Sequence, residues 1–472
     1  MKHTVTIRLL DNRRCSVFGL DSKITRLLDE ALAIEVQGAQ FQASVRRGLW
    51  DGKRHLFSKK TNTFPHGLLS RVVSFLEDLK LYVKIRDKRA KHIPKPDLSL
   101  VHKNMLKGDI TLRPYQLKAI RRGLKRQRGI FWLATNSGKT EVSAAIIKTL
   151  INHRTLFLVH KQALLDQARA RIALRLGTIE EHIGVIGAGR FDPKHITVAT
   201  IQTLSRKMHP KKRRLIQAYF NTIGQLHIDE GHHSKATTWY KLINRIDAQF
   251  RFIYSGTPFG SGNGLMVEAC TGPIIHRVTN DELIKLGVSA KPTIEIIQCE
   301  KPVLANDLSW VDVYQQGIVE NDARNALIAK RAHKFTKARL KTMILVTHLR
   351  HGDLINQHLD ALSIAYEFAH GRMPRSAQRD AVARFEHGNI DVLVASPIFD
   401  EGVDMPAIRA LIVADGGKSV RAALQKIGRG LRKKEGVNAL AVVDFADMSH
   451  KWLARHSQDR ISIYENEGFK LK

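Results

Sequence analysis

The stretch Gly129-Ile130-Phe131-Trp132-Leu133-Ala134-Thr135-Asn136-Ser137-Gly138-Lys139-Thr140 decides the reading of this 472-residue chain. Its first half is an apolar run suited to a buried strand. Small polar residues follow, ending in Gly-Lys-Thr, and the run from Glu141 to Leu150 has the composition of a helix. A phosphate-binding loop needs this strand–loop–helix context, because backbone N–H groups at the loop and helix N-terminus surround the β- and γ-phosphates of a nucleotide. In that reading Thr135, Asn136, Ser137 and Gly138 line the phosphates. Lys139 supplies a point charge, and the Thr140 hydroxyl is a ligand for Mg²⁺ beside ATP. Asn136 stands where most such loops carry Gly. Asn tolerates a left-handed backbone better than other non-Gly residues, so the turn is expected to survive.

Working outward, a second strand-end signal lies about 90 residues downstream. Gln225-Leu226-His227-Ile228 runs into Asp229-Glu230-Gly231-His232-His233. Two adjacent acids after a phosphate loop divide two tasks: Asp229 holds Mg²⁺ through water, and Glu230 orients and deprotonates the attacking water. A helix cap carrying a solvated acidic pair is the structural alternative. Ser255-Gly256-Thr257-Pro258 follows a further apolar strand, where small hydroxyl residues would sense the γ-phosphate. Far downstream, Gln425-Lys426-Ile427-Gly428-Arg429-Gly430-Leu431-Arg432 spaces Arg429 and Arg432 three apart, on one helix face. Two such arginines suit a γ-phosphate clamp.

The alternation of short apolar strands and helices over residues 109–290 predicts a parallel α/β sheet. Strands are expected at Ile130–Leu133, Thr155–Val159, Ile196–Ala199, Leu226–Ile228 and Phe252–Tyr254. A second set over residues 291–472 places strands at Met343–Val346, Ala365–Phe368, Asp391–Ala395, Ala410–Val413 and Ala439–Val443. Residues 1–108 form a smaller α+β unit. It contains an alternating strand, Thr4–Leu9, helical spacing over Ser22–Val36, an amphipathic helix through residues 68–79, and a linker over Arg86–Pro96.

Charge narrows the partner. The chain has 77 Lys and Arg against 44 Asp and Glu, a net charge of +33. An excess of this size repels itself unless a polyanion is the usual partner, and nucleic acid is the leading candidate. Residues 1–108 carry 22 Lys and Arg against 10 Asp and Glu. There, basic residues such as Lys53 and Arg54 interleave with Trp50, Phe57 and Phe64. These aromatics are either base platforms or core. The basic run from Arg206 to Arg214 is either a duplex contact or a solvated loop. No apolar run reaches the ~18 residues needed to cross a bilayer. Cys15, Cys270 and Cys299 form no paired motif, and the N-terminus lacks a signal-peptide core, so a reducing, cytoplasmic setting is expected.

Taken in order, these motifs resemble the superfamily 2 helicases and translocases, whose two RecA-like lobes hold ATP and grip nucleic acid. The resemblance covers about residues 109–445. It implies that Leu112-Arg113-Pro114-Tyr115-Gln116 reads the adenine through Gln116, with Arg113 beside it. It further implies strand-contacting roles for His160 and Gln167, and for Thr200, Gln202 and Thr203. Ser396 to Met405, with Gly402 and Asp404, is similar to the motif that touches both nucleotide and nucleic-acid backbone. Gly231-His232-His233 after the acids is closer to XPB-like and UvsW-like DNA motors than to RNA helicases. Leu49-Trp50-Asp51-Gly52-Lys53 with Phe64-Pro65-His66-Gly67-Leu68 resembles the small N-terminal domain of the UvsW-like phage helicases. That implies a monomeric, ATP- and Mg²⁺-dependent motor on forked or four-way DNA, in the host cytoplasm if phage-encoded. The competing readings are a restriction-system motor subunit, an RNA helicase, and a nucleic-acid scaffold with an inactive motor. No Glu-x-Lys triplet, the commonest nuclease signature, occurs in the chain.

Overall fold

The computed structural model describes residues 4–36, 38–89, 95–206, 213–231, 237–259, 264–300, 302–396, 407–417 and 438–472. Packing divides the chain into two compact units. One holds residues up to Leu133 together with Gly138–Arg277, and the other holds Ala134–Ser137 with Val278–Lys472.

In the first unit, the N-terminal region builds a four-stranded sheet in the order Thr63–Pro65, Arg14–Phe18, Thr4–Leu9, Tyr82–Asp87. Period-2 alternation puts Val5, Ile7, Leu9, Cys15 and Val17 on its inner face. They pack there with Leu28 and Leu32, and with Leu68, Val72 and Leu76. The helix Ser22–Ala31 starts at Asp21, whose side chain accepts from Ile24 N. It ends earlier than its spacing predicts. Ala33–Glu35 leaves the helix to pair with Lys53–His55 as a small antiparallel ribbon. The expected linker also starts too early, since Arg86 and Asp87 complete the strand Tyr82–Asp87.

The same unit contains an eight-stranded sheet. Its order is Arg190–Asp192, Ile183–Gly187, Ile196–Thr200, Thr155–Val159, Gln225–Asp229, Phe250–Ser255, Arg128–Leu133, Ile274–Val278. The five expected strands are present, and the central pairings are parallel. Parallel strands are buried on both faces, which explains their continuous apolar runs.

The second unit is a seven-stranded sheet in the order Tyr366–Ala369, Val392–Ala395, Thr342–Leu345, Ala410–Val413, Ala439–Asp447, Lys291–Cys299, Lys470–Leu471. Its pairings are parallel. The polar core of this unit includes two buried ion pairs, Arg324 with Asp447 and Arg460 with Asp444. Arg324 Nε donates to Asp447 Oδ1 at 2.7 Å while its NH1 donates to Ala414 O. The architecture is therefore α/β, with two parallel-sheet lobes and a small α+β N-terminal domain. No helix among the described residues is long and apolar enough to cross a membrane. All three cysteines are buried, and none forms a disulfide among the described residues.

Candidate nucleotide site and its surroundings

The strand Arg128–Leu133 delivers the chain to a turn in which Ser137 N donates to Ala134 O. Asn136 has φ of 69°, in the left-handed region. Gly138 follows with φ of 83°, as the N-cap of the helix Lys139–Thr149. Its left-handed φ strains any side chain, and a Cβ there would also overlap Gln116 Nε2, so Gly suits the position.

Gln116 is buried. Its Oε1 accepts from Arg113 N at 2.8 Å, completing a cap on a helix that begins with Pro114. Its amide nitrogen end packs against Gly138 of the loop. Tyr115 OH receives a hydrogen bond from Arg113 NH1 at 3.4 Å.

At the neighbouring strand end, Lys139 Nζ lies 2.7 Å from Glu230 Oε1. Ser255 Oγ donates to Glu230 Oε2 at 3.3 Å, and Glu230 N donates to Asp229 Oδ1 at 3.1 Å. Glu230 has φ of 48°, an uncommon conformation for a residue with a side chain, of the kind that concentrates at functional sites. Gly231 is needed for a separate reason. A Cβ there would fall 2.8 Å from Ile253 Cγ1 and closer still to Cγ2. Burial first, and the Glu230 charge second, push the Asp229 carboxyl up to about 6, against the opposing pull of Lys139 and His160. Burial alone would weaken the Lys139 ammonium, yet Glu230 and Asp229 outweigh it and hold its pKa above the usual value.

Sequence reasoning missed a second charged group behind the loop. Glu141, in the first turn of the same helix, is buried. Its Oε1 accepts from Arg171 NH2 at 3.0 Å and from Arg175 NH2 at 3.2 Å. Arg175 NH1 also donates to Gly108 O at 3.1 Å. The clamp ties the phosphate-loop helix to the helix Ala163–Leu176 and to the segment leading into Arg113. Burial opposes ionisation of Glu141, but Arg171 and then Arg175 hold its pKa below the ordinary carboxylate value. The signal was only one acid and two arginines spread over 34 residues.

The proposed strand contacts fall in three settings. His160 is buried near Asp229, and Gln202 Nε2 donates to its carbonyl at 2.6 Å. Thr200 Oγ1 donates to Thr203 Oγ1 at 2.9 Å, with Thr200 buried and Gln167 exposed on its helix. Ser396 directly follows the strand Val392–Ala395 and donates its N–H to Ala369 O. In the N-terminal domain, Phe57 and Phe64 belong to the core, which resolves their reading as core rather than platform. Trp50 is half-buried, with Nε1 donating to Lys53 O at 2.8 Å. Arg54 NH1 reaches Met266 Sδ at 3.3 Å. His232, His233, Gly402, Asp404, Arg429, Arg432 and most of the basic run after Arg206 lie outside the described residues.

The N-terminal domain packs on the helix Leu265–Thr271, whose Leu265 and Ala269 join the N-terminal core. Arg71 donates twice to Glu268 Oε2, at 3.0 and 2.6 Å. Asn12 N donates to Asp247 Oδ1, and Arg128 NH2 donates to Asn12 O.

Comparison with known proteins places this geometry. Residues 4–86 match the family model described as DNA helicase UvsW, N-terminal. Residues 109–260 match that of the Type III restriction enzyme, res subunit, and residues 326–434 that of the helicase conserved C-terminal domain. The ATP-dependent DNA helicase uvsW of Enterobacteria phage T4 is 24% identical, over 94% of this chain and 93% of its own. The DNA 3'-5' translocase XPB2 of Sulfurisphaera tokodaii is 26% identical over 70% of this chain and 81% of its own. The crystal structure of T4 UvsW shares the fold, with a TM-score of 0.50 at 20% identity over 99% of this chain and 98% of that one. Matched in turn by an N-terminal domain model and two helicase models, and similar over nearly its whole length to one of these relatives, the chain is a UvsW-like superfamily 2 helicase, an ATP-dependent DNA helicase of the UvsW and XPB type.

Proposed function

We propose that the chain is a branched-DNA motor that regresses forks, migrates four-way junctions and unwinds duplex arms. The observation that carries this reading is the small basic domain packed onto the helix Leu265–Thr271. That helix lies a short way along the chain from Ser255, which bonds Glu230. A DNA-engaging domain seated there moves with the hydrolytic acids and not merely with the end of a linker. Residues 1–108, 109–290 and 291–472 serve as the working division of the motor.

In this reading the Lys139 ammonium meets the β- and γ-phosphates of ATP, and Gln116 contacts the base next to Arg113. Backbone N–H groups of Thr135 through Gly138 surround the phosphates. The residues present suit Mg²⁺. Asp229 is a buried carboxylate whose negative charge is crowded by Glu230, and Thr140 offers a hydroxyl in the first helical turn. These two residues would hold the ion, which would neutralise phosphate charge. Glu230 acts on water. Its carboxylate now shares one ammonium with the phosphate role of Lys139, so phosphate binding and release of the base compete for a single charge. Arg429, Arg432, Gly402 and Asp404 complete the site from the second lobe by family resemblance. Thr200, Thr203, Gln202, Gln167, His160 and Ser396 grip backbone, with Lys53, Arg54 and Trp50 engaging the branch. Phosphate contacts position without reading bases, so little sequence preference is expected. We infer a monomer working in the cytoplasm.

Phosphate release is measured without DNA and with linear duplex, forked and four-way DNA. Forked and four-way DNA should stimulate several-fold more than linear duplex, and equal stimulation refutes the branched-DNA reading. Glu230→Gln should bind ATP without turning it over; ordinary hydrolysis by that variant removes Glu230 from the base role. The match of residues 109–260 to a restriction-subunit model favours one rival, a translocase that stays on linear duplex. Stimulation by linear duplex as strong as by forks would favour it.

A further inference from the structure

The N-terminal sheet has a second face that the core does not use. Register fixes its membership. Thr4 pairs with Tyr82, Thr6 with Lys84 and Arg8 with Arg86 on one side, while Thr6 pairs with Phe18 and Arg8 with Ser16 on the other. Paired residues share a face, and their neighbours Val5, Ile7, Cys15 and Val17 are buried on the opposite one. The outer face thus has a floor of Thr4, Thr6 and Ser16. From it rise two aromatic and four basic side chains, Phe18, Tyr82, Arg8, Arg14, Lys84 and Arg86, of which Arg14, at the strand's start, pairs with Asp11 at 3.3 Å.

Apart from half-buried Arg8, these side chains are exposed. Tyr82 is 59% exposed and Phe18 40% exposed, and Lys84 and Arg86 are exposed. The Arg8 guanidinium lies 4.3 Å from the Phe18 ring centroid, held by an aromatic ring instead of a carboxylate. Among the described residues none of Arg8, Lys84 and Arg86 forms an ion pair, although this domain pairs Arg13, Arg26 and Arg89 with acids. No Asp or Glu stands on the outer face of these strands.

We propose that this face is a platform for single-stranded DNA, such as the strand displaced at a fork. Three basic groups without acids call for a polyanion. Two aromatic rings above a flat floor of small residues call for exposed base faces, which a duplex hides within its stack. Phe18 and Tyr82 flank the central strand with a two-residue stagger, roughly 12 Å apart by strand geometry, so separate bases would meet each ring. The surface is distinct from Trp50, Lys53 and Arg54, which lie on the ribbon and its loop. The proposal rests on the branched-DNA reading, for it names the strand of the branch that this domain holds.

The test uses the full chain, with fluorescence anisotropy on an oligo-dT strand and on a hairpin-closed duplex, each across a KCl series. Tyr82→Ala should weaken oligo-dT binding about tenfold. Lys84→Glu with Arg86→Glu should flatten the single-strand slope of log K against log salt by about 1.4, two contacts at about 0.7 each. Duplex affinity should stay within about twofold, and DNA-free ATP hydrolysis and thermal unfolding should match the parent chain. Unchanged oligo-dT affinity overturns the platform, and so does an equal loss on strand and duplex. A parent chain that shows no fork preference, with variants that still lose oligo-dT, would sink the branched-DNA reading and leave the platform standing.

Discussion

Replacing Gly67 by Ala should separate the N-terminal domain from the motor. A Cβ at Gly67 would lie 2.6 Å from Ala269 O and nearer still to Glu268 O, and 2.8 Å from Ala269 C. Ordinary contact begins near 3.4 Å, so either the turn His66–Leu68 or the helix Leu265–Thr271 must retreat by close to an ångström. Neither is free to do so cheaply. Leu68 is fully buried in a core that includes Leu265 and Ala269, and Arg71 is bonded twice to Glu268. Overpacking of this kind costs about 1–3 kcal/mol. Stretching the Arg71 pair adds little, since Arg71 is half exposed and solvent screens it. We therefore expect Gly67→Ala to lower unfolding free energy by about 2 kcal/mol in urea titrations. The fork-stimulated part of ATP hydrolysis should fall several-fold while DNA-free hydrolysis is retained. A Gly67→Ala chain with the parent's urea midpoint and fork response would refute the reasoning, because the two backbones could not then approach so closely. Simple deletion of the domain is a poorer probe, since it uncovers Leu265 and Ala269 as well.

Glu141→Ala should cost about 3 kcal/mol, since it leaves Arg175 buried without its counter-charge, and hydrolysis should fall because the clamp holds the first turn of the helix that begins at Lys139; parental urea stability would show that the clamp is ornamental. Asn136→Gly should keep ATP hydrolysis, whereas Asn136→Val should lose most of it, because φ of 69° strains a β-branched residue; equal rates for the two would contradict the turn. Stability should also fall with acid. Burial holds His66 neutral, with its pKa pushed down to about 2, and His351 likewise to about 3. Unfolded histidines titrate near 6.5, so the unfolded chain binds the extra protons below that pH. The contribution is complete above pH ~6.5 and is lost as pH drops toward ~3, by up to about 1.4 kcal/mol per pH unit for each group. Melting curves at pH 7.5 and 5.0 should show the loss, and His351→Gln, which cannot be protonated, should show less of it; identical pH dependence would remove His351 from the account.

How far the sequence reached depended on how local the cause was. Runs such as Thr155–Val159 and Ala410–Val413 were legible because a strand buried on both faces must be apolar throughout. The phosphate loop was legible because it packs its chemistry into consecutive residues, and the left-handed Asn136 followed from that residue's own backbone preference. Tyr82–Asp87 was hidden, since its residues are mostly exposed and its charged end, Arg86 and Asp87, read as the start of a linker. Ile183–Gly187 was hidden by its glycines, and the helix after Ser22 was read too long because Ile34 continues its spacing. The deciding pairings there are with distant strands.

The sequence by itself determined the α/β alternation, the loop at Asn136, the acids Asp229 and Glu230, and a polyanionic partner. Each is written in neighbouring residues or in overall charge. Only the tertiary structure decided that Phe57 and Phe64 are core, that Gln116 backs the loop, and that Glu141 is clamped by two arginines. It alone decided why Gly67 and Gly231 admit no side chain, for the atoms that exclude a Cβ belong to Glu268, Ala269 and Ile253. Contacts between residues so far apart in the chain leave no local pattern, because each partner looks ordinary until folding brings the other against it.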